Sequence, residues 1–233
     1  GAEGMILRTV VFDRAGEYDR LLRVFLASAK ATMPRVPVKV LRIPAPPERK
    51  NESLTHHADC TAAFFPALDY CIRARETIAV CDADLMFLRS IEGIERRAFD
   101  IAVTVREHKY RYNTGIWFTR PTPEARAFLS EWRRWTEKVD HKWPRVKKHV
   151  CAHGGIDQAG LAYAIEHDAL AGVLELPCDE WNATQTEWET AAYPRVAHFK
   201  SGLRRIVIDG APVPEGCPRT AALVETWRRY ACS

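Results

Sequence analysis

Two carboxylates one residue apart, Asp82 and Asp84, stand between two apolar runs, Thr77 to Cys81 before them and Leu85 to Leu88 after. Carboxylates enclosed in this way are costly unless a cation or a hydrogen-bond network compensates them. Hard oxygen ligands of this kind suit Mg2+ or Mn2+, with phosphate oxygens filling the remaining positions. The plainer alternative is a turn carrying two capping aspartates. Further along, Asn113-Thr114-Gly115 sets an amide and a flexible glycine at the entrance of the apolar run Ile116-Trp117-Phe118. Gly154-Gly155-Ile156-Asp157-Gln158 opens a helix, where backbone amides and the helix dipole favour an anionic group. Asp157 by itself is also what an ordinary helix start carries. His198-Phe199-Lys200-Ser201-Gly202 joins a metal-type imidazole to a phosphate-type ammonium and a glycine. A lone histidine at such a place is otherwise structural.

These groups need a frame that brings them together. Ile6 to Asp13 reads as a buried first strand, and residues 17 to 33 as a helix with Leu21, Leu22, Val24, Phe25 and Ala29 at helical spacing. Val36 to Ile43 is a second strand that stops at the proline-rich break from Pro44 to Pro47. A second helix covers residues 58 to 74. Thr77 to Cys81, Ile101 to Val105 and Gly115 to Thr119 are further strands. Pro123 opens a long helix, and Gly155 to His167 forms another. Val173 to Leu176 and Val196 to Phe199 are the last strands, and residues 218 to 231 close the chain as an amphipathic helix. Strands alternating with helices imply an α/β fold with a mainly parallel sheet covered on both faces. In such sheets ligands bind beyond the carboxyl ends of the strands. Asp13, Asp82 and Asp84 fall at those ends, and His198 within the last strand.

The bulk properties set limits. At 233 residues the chain fits one domain, expected over residues 5 to 233, with Gly1 to Gly4 read as an expression remnant. No apolar run approaches the roughly 20 residues that cross a bilayer, and no signal peptide is visible at the start. A cytoplasmic location is expected. The cysteines at 60, 71, 81, 151, 178, 217 and 232 are odd in number and contain no Cys-x-x-Cys pair, which argues against a disulfide framework or structural zinc. His56, His57 and Cys60 crowd together, but at no common ligand spacing. The net charge is only +4, yet residues 106 to 149 hold twelve Lys/Arg against five Asp/Glu, densest from His141 to His149. That stretch reads either as a solvated basic loop or as a landing site for an anionic acceptor.

The order of these motifs resembles the retaining GT-A glycosyltransferases of the glycogenin and bacterial lipooligosaccharide galactosyltransferase type, from Ile6 to about Arg205. The resemblance implies a Rossmann-like GT-A domain and a metal-dependent glycosyltransferase acting on a nucleotide-diphosphate sugar, with a UDP-sugar favoured, and with retention. It places Asp82, Asp84 and His198 on Mn2+ or Mg2+. Asp13, Asp82, Lys200, Gly202 and Arg204 go to the nucleotide, and Asn113, Asp157 and Gln158 to the transferred sugar. The last motif departs from the family pattern, since Gly202 follows His198 by four positions and Arg204 and Arg205 stand where a lysine is usual. The acceptor stays open among saccharide, lipid, protein and hydroxymethylated DNA. A nucleotidyltransferase is the rival enzyme, but Asp13 to Glu17 is too poor in glycine for its loop. A non-catalytic nucleotide-sugar-binding module is the rival outside catalysis.

Overall fold

The computed structural model describes residues 4–12, 16–45, 52–107, 110–140, 145–168 and 171–232. Strands β1 (Met5–Phe12), β2 (Val38–Ile43), β3 (Thr77–Cys81), β5 (Ile101–Val105), β6 (Tyr112–Thr119) and β7 (Val173–Pro177) form one sheet in the order β2-β1-β3-β6-β5-β7. Their side chains alternate between two apolar layers, the mark of strands buried on both faces. On one face Leu7, Ala79, Ala102, Ile116 and Phe118 pack with Leu22, Phe25 and Met33 of helix α1 (Glu17–Thr32) and its C-cap. On the other, Ile78, Val103 and Trp117 pack with Phe64 and Leu68 of α2 (Glu52–Arg73), with Phe128 and Trp132 of α3 (Pro123–Asp140), and with Leu161 of α5 (Ile156–Asp168).

Five of the six strands run the same way, and β6 alone is reversed, between β3 and β5. The reason is the short link from β5 to β6, which permits an antiparallel neighbour, whereas a parallel one needs a crossover of a dozen residues or more. The reversal has a functional consequence: the start of β6, with Asn113, Thr114 and Gly115, lies at the sheet edge where the parallel strands end.

The last strand does not join this sheet. β8 (Val196–His198) pairs antiparallel with β4 (Leu85–Phe87), a strand absent from the sequence reading, so that Leu85 faces His198. A third apolar layer backs this pair, from Leu21 and Val24 of α1 to Leu203 of α8 (Gly202–Ile208) and Leu223 and Trp227 of α9 (Pro218–Ala231).

Helix α4 (Arg145–His153) takes in the second half of the basic segment, which is therefore not a loop from residue 145 onward. Residues 141–144 lie outside the described residues, as do Asp13 and the side chains of Arg145, Lys147, His56 and His57. Helix α2 begins earlier than residue 58 and runs through Pro66. Two one-turn helices, α6 (Cys178–Trp181) and α7 (Gln185–Trp188), complete the chain. All seven cysteines are free thiols. Among the described residues no helix is long and apolar enough to cross a membrane.

Candidate active site

The β4–β8 pair assembles the site's most polar corner. β3 ends at Cys81, and the turn to β4 carries Asp82 and Asp84 on either side of the buried Ala83. The amide of Asp82 donates to the carbonyl of Gly115 (2.8 Å), and Phe199 donates to the carbonyl of Asp84 (2.9 Å). These two bonds clamp the acidic turn between β6 and β8. His198 then brings Nε2 to 3.2 Å from Oδ1 of Asp84 and 3.7 Å from Oδ2 of Asp82. One ligand atom from each of the three residues lies within 4.8 Å of the other two. Oxygen ligands sit at about 2.0–2.1 Å from Mg2+ in an octahedron, which puts neighbouring ligands about 3 Å apart and opposite ones about 4.2 Å apart. The cluster fits that demand with little movement.

The three residues differ in exposure. Asp82 shows 58% of its side chain to the cleft, Asp84 12% and His198 2%. Burial works against the Asp84 carboxylate, but the imidazole of His198 and the guanidinium of Arg204, with Lys200, outweigh it and hold its pKa below the ordinary value. Enclosure in the cleft and the neighbouring Asp84 charge push Asp82 the other way, upward. Two carboxylates held this close with opposed shifts form the arrangement that a divalent cation relieves.

Gly115 explains why the amide motif ends in glycine. A Cβ there would lie 2.5 Å from Cε1 and 2.6 Å from Nδ1 of His198, so only a bare backbone lets the imidazole reach the carboxylates. Asn113 is buried, with its side-chain oxygen accepting from the amide of Gly115 (3.0 Å) and its side-chain nitrogen lacking a partner among the described residues while it lines the cleft. A buried donor left in this state is an invitation to a ligand oxygen.

Asp157 and Gln158 form the facing wall at the start of α5. The Trp132 indole donates to the carbonyl of Asp157 (2.9 Å) and pins the helix start against α3. The Asp157 carboxylate accepts from the hydroxyl of Thr114 (2.5 Å), which ties this wall to β6. The Gln158 nitrogen donates to the carbonyls of His153 (2.6 Å) and Tyr112 (3.2 Å). With both hydrogens spent, the amide has its oxygen left to offer.

The cations divide their work. Arg204 is committed to protein carboxylates, with Glu17 at 2.5 Å and Asp84 at 3.6 Å, and these keep it charged in spite of burial. Lys200 lines the cleft with no ion pair among the described residues. Gly202 faces neither groove. It packs under Gln185, whose Oε1 would lie 1.8 Å from a Cβ at that position.

Asp82, Asp84, Asn113, Asp157, Gln158, Lys200 and Arg204 thus line one cleft, with His198 at its base. Tyr18 and Asp59 line it too and were not singled out from sequence, and Cys60, noted there only for crowding with His56 and His57, lines the same cleft. A second groove shares Gly154, Gln158 and Lys200 with the first and is bordered by Tyr110, Thr184, Gln185, Thr186 and Ser201. Arg106, at its edge, is held by Glu187 in an ion pair of 2.9 Å. Asn182, whose Oδ1 lies 2.9 Å from Nδ1 of His198, was also missed, since a single asparagine after a tryptophan carries no motif.

Solved structures of glycosyltransferases share this architecture. The galactosyltransferase LgtC, in complex with donor and acceptor sugar analogs, superposes with a TM-score of 0.59 at 12% identity, over 98% of this chain and 95% of that one. The glycosyltransferase GlyE of Streptococcus pneumoniae TIGR4 gives 0.65 at 12% identity, over 98% of this chain and 61% of the other. A glycosyltransferase involved in the glycosylation of the major capsid of PBCV-1 gives 0.56 at 11% identity, over 87% and 96%. No family model and no curated protein matches the chain. The fold is the GT-A fold of these enzymes.

Proposed function

We propose that the chain is a divalent-cation-dependent glycosyltransferase that moves a sugar from a nucleoside-diphosphate sugar to a hydroxyl with retention of configuration. The observation that carries this reading is the cluster of Asp82, Asp84 and His198 at the base of a cleft that also holds Lys200, Asn113, Asp157 and Gln158. The three clustered residues would hold Mn2+ or Mg2+. When bound, the cation supplies Lewis-acid neutralisation of the charge that grows on the departing diphosphate.

The chain's own groups divide the remaining tasks. Lys200 adds a second positive charge for the diphosphate, and Arg204 keeps Asp84 ionised and oriented. Gly202 has no direct part in this, and leaves room for the Gln185 side chain instead. The base goes to the end of β1, beside Phe12 and Tyr18, with Asp13 next in the chain. Asn113 donates its unpaired amide hydrogens to the sugar. The carboxylate of Asp157 and the amide oxygen of Gln158 support positive charge at the anomeric carbon as the sugar–phosphate bond breaks. The acceptor hydroxyl enters from the second groove, its oxygen bonds to the anomeric carbon, and its proton leaves with the departing phosphate oxygen. An inverting transfer instead needs a protein base beside the acceptor.

A panel of UDP-, GDP- and TDP-sugars incubated with Mn2+ tests the reading. Release of one nucleoside diphosphate is expected, strongest for a UDP-sugar, and it should vanish in EDTA. Full hydrolysis in EDTA, or none with any donor, would overturn it.

A further inference from the structure

Lys200 lines both the cleft and the second groove, and the residue after it is under backbone strain. Ser201 has φ 52° and ψ −116°, and among the described residues no other non-glycine residue has a positive φ. That is the shape of the first central residue of a type II′ turn, where glycine is the usual occupant because a Cβ crowds the backbone. The plain explanation of a serine before a helix fails here. A capping serine has extended backbone, and its hydroxyl accepts from the first turn. Ser201 instead has a left-handed backbone and makes no such bond to α8. Gly202, the glycine that the turn does carry, has no positive φ and is needed for its missing Cβ, under Gln185.

Strain of this kind persists only where the flanking structure leaves no easier path. Both flanks of Ser201 are fixed. Before it, the amide of His198 donates to the carbonyl of Ala183 (2.8 Å) and the amide of Phe199 to the carbonyl of Asp84 (2.9 Å). The amide of Lys200 then turns back to the carbonyl of His198 (2.9 Å). After it, the amide of Arg205 donates to the carbonyl of Ser201 (3.1 Å), and Leu203 is buried in the apolar layer behind β4 and β8. Lys200 and Ser201 must therefore make the whole bend between the small sheet and α8. A Cβ in that bend also does what glycine could not. It narrows the backbone states open to the chain, whereas glycine admits many. One backbone shape gives the long Lys200 stem one starting direction.

We propose that Ser201 is a positioning residue: its strained backbone, bearing a side chain where glycine would fold more easily, locks the bend that aims Lys200 at the donor's diphosphate. Stability is given up for a preset cation. The aim of Lys200 rests on the reading of the donor site given above, while the strain at Ser201 does not.

Two replacements should rank in opposite orders for stability and for binding. At an unstrained site alanine is the more stable, because glycine has more freedom to lose on folding. Here Ser201→Gly should melt about 2–4 °C above Ser201→Ala. Melting of Ser201→Ala at or above Ser201→Gly would remove the strain and the proposal with it. In calorimetric titrations with Mn2+ present, Ser201→Gly should bind UDP about 3–10-fold more weakly than the wild type. UMP, which lacks the second phosphate, should stay within about twofold. Ser201→Ala keeps the Cβ, and its UDP affinity should also stay within about twofold of the wild type. Wild-type UDP affinity in Ser201→Gly would overturn the positioning role. So would equal losses for UDP and UMP, since these report a general loosening of the site. A wild type that binds UDP no better than UMP would instead overturn the reading of the donor site, and this proposal with it.

Discussion

The two walls of the cleft are built by different means. The wall of Asp82, Asp84 and His198, which we propose holds the cation, is fixed by strand pairing and buried amides: β4 on β8, Asp82 on Gly115, and His198 on Asn182. The facing wall, which we propose meets the sugar, is held by a helix start, with Asp157 and Gln158 fixed by the Trp132 indole and two backbone carbonyls, and it continues into a groove rimmed by hydroxyls and amides. Strand pairing fixes atoms to fractions of an ångström, which a cation with rigid geometry demands. A helix start and a hydroxyl rim can be altered residue by residue without disturbing the sheet, and under the proposed function that is where acceptor choice would be set.

If this division is right, damage to the cation wall is the most severe. Asp84→Asn is expected to lower turnover by about 10³-fold or more. The apo melting temperature should move by no more than about 3 °C, because Arg204 keeps Glu17. Steady-state kinetics with thermal unfolding checks both, and near-normal turnover would erase the contrast between the walls.

On the sugar wall, Asp157→Ala and Gln158→Ala should each lower turnover about 10²-fold while UDP affinity, measured by calorimetry, stays within about threefold. A tenfold loss of UDP affinity would assign these residues to the nucleotide instead.

Gly115→Ala probes the seam between the walls. Its methyl group would displace the His198 ring, and a loss of about 1–3 kcal/mol in denaturant unfolding is expected, with weaker Mn2+ binding. Stability and Mn2+ affinity both at wild-type level would contradict the close approach.

The smallest effect concerns the groove's edge. The Glu187 carboxyl is held below its ordinary 4.5: burial opposes this, but the Thr184 hydrogen bonds and Arg106 prevail. A carboxyl whose folded pKa is depressed stabilises the fold above the unfolded value, and that stability is lost as pH falls from about 4.5 through the folded pKa. Glu187→Gln should therefore flatten the acid side of the stability curve below pH 4.5 and cost about 1–3 kcal/mol at neutral pH. An unchanged acid limb would show that the groove's edge is not held by this pair. Thr186→Val, on the same rim, should raise the acceptor KM about threefold and leave donor hydrolysis intact.

Local chemistry made much of this legible in the sequence. Apolar runs ending in Asp82 and Asp84, a glycine after Asn113, and an acid at a helix start each report on their own surroundings, and β3, α5 and α9 follow from the same periodicities. What stayed hidden depends on long-range pairing. Nothing in Leu85 to Phe87 distinguishes a separate small sheet from a continuation of the first, and the placement of β8 on β4 joins residues more than a hundred positions apart. Asn182 meets the His198 ring only through the placement of β8, and Thr104 meets Asn182 beside the irregularity in the β5–β6 pairing. Asp59 lies in a helix that mixes polar and apolar residues, a pattern common to many helices with no site.

The pairing of β8 with β4 also sets an order in time. The acidic turn is complete once residue 84 has left the ribosome, the amide of Asn113 follows, and Asp157 comes later still. The imidazole that closes the cation corner is the contribution of residue 198, and the helices packed behind it end at Ala231. Chains are made N-terminus first at about 5–20 residues per second. The last strand of the large sheet ends at Pro177, so residue 198 follows it by about 1–4 seconds. A product interrupted or clipped before β8 would keep Asp82 and Asp84 but lack His198, the third member of the cluster.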